Sequence, residues 1–400
     1  MKNKRKGNIL RCIISVTAVC LVFAVMQGIH DNYGIMLGGI VEQTNVSYAS
    51  VSFVIAVGQI LYGVTQPLFG MLALKKSNAF VMVCGIILMS VGLIATPFCT
   101  TIFTLLTFFG IILPSGTGAL CFGIVMGAVS PIIGERRAAM VSGIVQASAG
   151  IGDALMSPGL QALTAWKGIS VSMPVFSIPI LLMLPAAIWL GRDRKKKQSV
   201  EVKRNNKDEK LFSILGKAMR EHTYWCLLIG FSTCGFHMAI IETHLFSQYV
   251  SSGISGSIAS FTLTVYGITT MFGAVITGFL GQKFRMKNVL SMVYAVRVII
   301  AAGFIFIPKS VPFAFIATGL LGLTGDSTVP PTTGIISEKV GVAKVAVVYG
   351  SIFIGHQIGA FTSAWLGGIL VNTALGYSAL WIADLCLSLT ATAASFKIRD

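Results

Sequence analysis

Long apolar runs separated by short polar gaps set the pattern of this chain. Six runs fill the first half, at residues 11–40, 46–73, 79–97, 101–130, 137–164 and 170–190. Six more fill the second, at 223–250, 256–281, 287–307, 311–337, 344–371 and 374–396. A helix needs about 20 apolar residues to cross a bilayer, so the pattern predicts twelve transmembrane helices. Several runs exceed that length, which implies tilt or extension beyond the hydrocarbon.

One stretch breaks the rhythm. Between Gly191 and Arg220 lie eleven of the thirty Lys and Arg residues. A block this basic does not sit in hydrocarbon. The chain therefore divides into a six-helix bundle at 1–191, a water-exposed basic linker at 192–220, and a second six-helix bundle at 221–400. The remaining charges alternate. Lys75 and Lys76, Arg136 and Arg137, Lys283 to Lys287, and Lys339 with Lys344 occupy one set of gaps, and the other set holds only Lys167 and Lys309. With the basic N-terminus, Lys397 and Arg399, every basic cluster falls on one side. The positive-inside rule makes that side cytoplasmic, for both termini and the linker. Met1 to Lys6 resembles a signal-peptide start, but no small-residue cleavage site precedes the polar Gln27–Asn32 cluster, so the first run reads as a retained span.

Composition agrees. The chain is 54% hydrophobic and 11% charged, against about 25% charged in soluble domains. Its net charge of +16 does not point to nucleic acid, because the basic residues lie in the gaps between spans. Cys12, Cys20, Cys84, Cys99, Cys121, Cys226, Cys234 and Cys386 form no CxxC pair and show no metal spacing, so they read as small core residues. There is no GxxxxGK[ST] phosphate loop, no nucleophile beside a positioned base and no zinc ligand set. An enzyme, an ATP-driven pump and a resident cofactor or metal are all unexpected.

The halves repeat each other. A constant offset of 207 superimposes Gly28 on Gly235, Gly134 on Gly341, Gly143 on Gly350, Gly152 on Gly359 and His30 on His237. Parallel six-helix repeats are an architecture of secondary transporters, with the substrate site near the midplane. Small-residue stripes on the fifth helix (Gly143, Ala147, Gly150, Ala154) and the eleventh (Gly355, Gly359, Ser363, Gly367) permit close approach and sliding.

Three segments carry a family resemblance: Gly235 to Leu245 (GFHMAIIETHL), Val329 to Gly334 (VPPTTG) and Gly355 to Gly368 (GHQIGAFTSAWLGG). Together with Tyr294 to Arg297 they resemble a bacterial branch of the major facilitator superfamily, related to monocarboxylate transporters and oxalate/formate antiporters. The resemblance implies an all-α membrane protein with two pseudo-symmetric six-helix bundles, working as a monomer in a bacterial cytoplasmic membrane. It also implies that helices one, four, seven and ten line the cavity. Two departures stand out. Leu74 and Gln282 occupy positions where the superfamily's Gly-x-x-x-Asp-Arg/Lys loop has Asp, which removes the acidic partner of a gating salt bridge. The stretch Met271 to Val275 lacks the arginine found on helix eight of monocarboxylate and oxalate carriers.

Ionisable groups inside spans are costly, so each is a functional candidate. His30 and His237 hold equivalent places on helices one and seven and read as proton or anion sites, or as interior histidines bonded to a neighbouring helix. Asp31 adjoins His30. At about 100° per residue His244 shares the face of His237, whereas Glu242 points away and is expected to pack sideways. Arg297 reads either as an anchor for a carboxylate or as the partner of Asp384 in a buried ion pair. Asp326, between Gly325 and the Pro330-Pro331 pair, suits a protonatable gate or a helix-end role. Gln146 and Asp153 on helix five, with His356 and Gln357 on helix eleven, make a polar wall. The expected function is secondary transport of a small organic anion by proton symport or exchange. Export of a hydrophobic drug-like compound, or a non-transporting sensor, are the alternatives.

Overall fold

The computed structural model describes residues 2–133, 135–190, 211–341 and 344–399. Residues 191–210, most of the expected linker, lie outside them. Among the described residues there is no strand, and every predicted span is helical.

Uninterrupted helices form the second span (Tyr48–Lys75), the fifth (Glu135–Lys167), the eighth (Gly256–Lys283), the ninth (Met286–Phe306), the eleventh (Val345–Leu370) and the twelfth (Ser378–Phe396). The third is Asn78–Ala95 with a 3-10 turn at Thr96–Phe98. Hydroxyl side chains start several of the spans, whole and broken alike. Ser47 accepts from Ser50 N, Ser77 from Phe80 N, Thr101 from Thr104 N, Ser255 from Ile258 N and Ser310 from Phe313 N. Each satisfies an amide that the first turn leaves orphaned.

The other spans are broken, and the four expected to line the cavity are among them. The first runs Lys2–His30, turns at Asp31-Asn32 and resumes as Tyr33–Thr44. The fourth combines Ile102–Leu105, a π-helix at Leu106–Ile112, Leu113–Ala119 and Phe122–Ile133. The seventh runs His222–Ala239, widens into a π-helix at Ile240–Leu245 and ends as Phe246–Ser251. The tenth is Val311–Thr324, a 3-10 turn at Asp326–Thr328, then Val329–Val340. The sixth, Ile169–Leu181 and Leu184–Leu190, breaks between Pro179 and Pro185.

The bundle is apolar on its outside as well as within. Phe103 and Phe306 are 78% and 79% exposed, as are many other large apolar side chains around the belt. In water such a surface would aggregate; in hydrocarbon it is the solvated face. Nine helices among the described residues are long and apolar enough to cross a membrane.

Glycines set how closely the helices cross. A Cβ at Gly152 would strike the backbone of Ala24, and one at Gly359 would strike Ser232, so the first and fifth spans cross as the seventh and eleventh do. The 207-residue repeat is thus a repeat of packing. Between the halves, Gly150 meets Gly267 where spans five and eight cross. Gly63 meets the Gln357 side chain, and Gly368 meets Ser52, where spans two and eleven cross. Small residues at such crossings let backbones touch.

Candidate transport site between the two halves

The interruption of the first span places its polar residues. The Asn32 side chain turns back to donate to Gly28 O at 2.7 Å, capping the helix end, while Asp31 N reaches Gln27 O at 2.9 Å. Asp31 leaves the helix here, and Gln27 Nε2 donates to its Oδ1 at 2.8 Å.

The seventh span is interrupted at the equivalent place, since Tyr33 plus 207 is residue 240, where the π-helix begins. A π turn holds one extra residue, so every side chain beyond it is rotated relative to a regular helix. This rotation corrects the expectation for Glu242. Rather than packing sideways, its carboxylate turns toward the first half and accepts from Gln59 Nε2 of the second span at 3.0 Å. A ring nitrogen of His30 and carboxylate oxygens of Asp31 and Glu242 all lie within 4.8 Å of one another. The Asp153 carboxyl, from the fifth span, meets that of Asp31. His30 is 2% exposed, Asp153 4% and Glu242 9%, whereas Asp31 between them is partly exposed. Tyr62 and Tyr33 hold the His30 ring with centroids at 4.6 and 5.1 Å.

Asp326 joins this wall one helix further. Its Oδ2 accepts from Gln146 Nε2 at 3.3 Å, again across the halves. Gln357 packs its stem against Gly63, and His356 stacks on Phe353 with ring centroids 5.3 Å apart. Gln146 and Gln357 thus each touch the opposite half, whereas the ring contacts of His356, with Phe231 and Phe353, lie within its own half.

One of the two readings left open for Arg297 is not met. Asp384 does not pair with Arg297. It accepts from His237 Nδ1 at 2.8 Å, with both side chains fully buried, so His237 is tied to the twelfth span inside its own half while its Nε2 is buried without a partner. His30 and His237 occupy equivalent positions but have unlike partners. Arg297 instead donates through Nη2 to Thr324 O and Gly325 O. Those carbonyls are released where the tenth span tightens into its 3-10 turn ahead of the Pro330-Pro331 pair. The guanidinium pins the elbow that presents Asp326.

His244 lies within the π-helix, toward the end of the bundle opposite the linker. Its Nε2 donates to Ala364 O at 3.0 Å, which leaves Nδ1 as the acceptor for Tyr48 Oη–H at 3.1 Å. That tautomer makes the Tyr48 oxygen available to Tyr377 Oη, 3.2 Å away. Tyr48 is on the second span, whereas His244 and Tyr377 belong to the second half, so the trio latches the far ends of the halves together.

Gln27, Gln59, Tyr48, Tyr62 and Tyr377 were not singled out in the sequence. Gln59, an amide midway along an apolar run, was the most visible signal. Glu242 was visible but assigned to the wrong face.

Comparison with known proteins agrees with this architecture. The Major Facilitator Superfamily model matches residues 17–310 and 245–400. The uncharacterized MFS-type transporter YcxA of Bacillus subtilis is 21% identical over 377 residues, covering 92% of this chain and 90% of that protein. Human monocarboxylate transporter 12 is 22% identical over 368 residues, covering 84% and 70%. Among solved structures, a bacterial homolog of the human lysosomal transporter Spinster, inward-facing and occupied, superimposes with a TM-score of 0.75 at 14% identity, covering 95% of each chain. A D-xylose–proton symporter gives 0.72 at 13% identity, covering 97% and 98%. The twelve spans, the two-half packing and the family match together place this chain in the Major Facilitator Superfamily, as a multi-pass membrane transporter related to the monocarboxylate transporters.

Proposed function

We propose that the chain is a proton-coupled secondary transporter of a small organic acid, working by alternating access between the 1–191 and 221–400 bundles. The observation that carries this reading is the cluster of buried Asp153, Glu242 and His30 with the partly exposed Asp31, placed where the halves meet and held by amide donors. Several ionised carboxylates packed this closely, most of them buried, repel one another, so the cluster is stable only when protons or a cation are shared among them. An anionic substrate then enters only together with protons, because carboxylic acid O–H groups supply its hydrogen bonds. The resemblance to monocarboxylate transporter 12 supports an acid as cargo. In this reading Asp31 and Glu242 carry the proton, His30 orients them, and Asp326 senses closure through Gln146. The basic gaps support a cytoplasmic linker and cytoplasmic termini in a bacterial inner membrane, with the single chain as the working unit.

A second reading, export of a basic compound in exchange for protons, is favoured by the density of carboxylates where the halves meet. The two readings predict opposite coupling. Uptake of labelled short carboxylates into proteoliposomes, with the pH gradient imposed in either direction, separates them. Uptake driven by inward proton flow, and lost in Asp31→Asn and Glu242→Gln, is the expected result. Efflux of an organic cation driven by the same gradient establishes the second reading, and uptake that ignores the gradient overturns both.

A further inference from the structure

At the linker end of the second half, a cavity of about 350 Å³ opens between the short helix Leu211–Ala218, the start of the seventh span, the end of the tenth and the start of the eleventh. Three lysines ring it, Lys217, Lys339 and Lys344, against the single carboxylate Glu221. Its floor is apolar, formed by Leu227, Ile336 and Val348, which are 2–3% exposed. A cationic rim over an apolar floor complements a molecule with an anionic head and a hydrocarbon body.

The position in the bundle agrees. The cavity lies where the seventh span starts at His222, the tenth ends at Val340 and the eleventh starts at Val345, which is headgroup depth for helices that cross the hydrocarbon. Trp225, 46% exposed, marks the same level and donates through Nε1 to Met219 O at 2.8 Å. Such half-exposed indoles sit at membrane interfaces. The lysine ammoniums are point charges suited to phosphate, and basic pockets between spans at this depth accept anionic headgroups.

We propose that this cavity binds the headgroup of an anionic phospholipid, with the phosphate among the three lysines and the first acyl carbons on the apolar floor. The bound lipid would bridge the helix that follows the linker to the ends of the tenth and eleventh spans, so its presence bears on how those ends move. This site is independent of the central carboxylates.

The test is photolabelling of the full-length protein in nanodiscs with a photoreactive phosphatidic acid, followed by peptide mapping. The expected result is labelling of peptides holding Tyr224, Leu227 or Val348. It should be reduced about tenfold or more in the Lys217→Gln, Lys339→Gln, Lys344→Gln triple variant. On the wild type, excess unlabelled phosphatidic acid should compete, whereas millimolar inorganic phosphate and phosphatidylcholine should not. The wild-type competition does not depend on the variant's folding. Labelling elsewhere, equal labelling from a phosphatidylcholine probe, or full displacement by inorganic phosphate overturns the proposal.

Discussion

His30 and His237 sit 207 residues apart at equivalent points of a repeated helix, and the protein uses them differently. His30 faces carboxylates contributed by both halves. His237 is bonded to Asp384 within one half and fully buried there. The backbone devices match, a break after His30 and a π-helix from residue 240, so duplication preserved the joint in the helix while the side chains around it diverged. A joint is what both halves need in order to bend. A shared proton site is needed only once, at the seam.

The comparison can be broken at either histidine's partner. The largest effect is expected from Asp31→Asn, which removes an ionisable group from the seam: gradient-driven uptake should fall about a hundredfold or more, while substrate counterflow and the melting temperature persist. Loss of counterflow as well would show that Asp31 holds the substrate rather than the proton. Next comes Asp384→Ala, which strands buried His237 and should cost about 3 kcal/mol of stability. Its signature is a lower melting temperature and expression level with little change in the pH dependence of the surviving protein. A third change sharpens the role of the π-helix. Deleting Thr243 should restore regular winding and swing Glu242 out of the cluster, giving a folded protein with gradient coupling lost. The smallest effect belongs to Tyr48→Phe, which removes both cross-half hydrogen bonds of this half-buried hydroxyl, to His244 and Tyr377, together worth about 1 kcal/mol. Cysteines placed at the far end should then label up to about fivefold faster.

Much of this was legible in the chain. Span number, the central division and the 207-residue repeat follow from hydropathy and glycine spacing, because lipid forces every backbone group into a helix. The candidate residues were legible as residues, since a charge inside a span has few reasons to exist. Their pairing was not. Projecting Glu242 and His244 on a regular helix assigned them to opposite roles, because nothing in IIETHL announces a π turn. Arg297 and Asp384 were matched by depth and charge alone. Which acceptor a guanidinium meets depends on how a neighbouring span is broken, and the carbonyls of Thr324 and Gly325 are freed only by the elbow that follows them.

The bonds that span the seam have a consequence for speed. Gln59 to Glu242, Gln146 to Asp326, Tyr48 to His244 and Thr264 to Ala154 O all use amide or hydroxyl donors rather than ammonium or guanidinium groups. Arg297, the strongest donor nearby, spends its bonds inside one half and travels with it. Leu74 and Gln282 stand where a family member would carry the acid of a charged clasp. Breaking these four bonds separates no cation from an anion, so at these points, among the described residues, rocking the halves does no work against an ion pair. Turnover in such a machine should depend only weakly on ionic strength, because salt screens pairs of charges and these four bonds hold none.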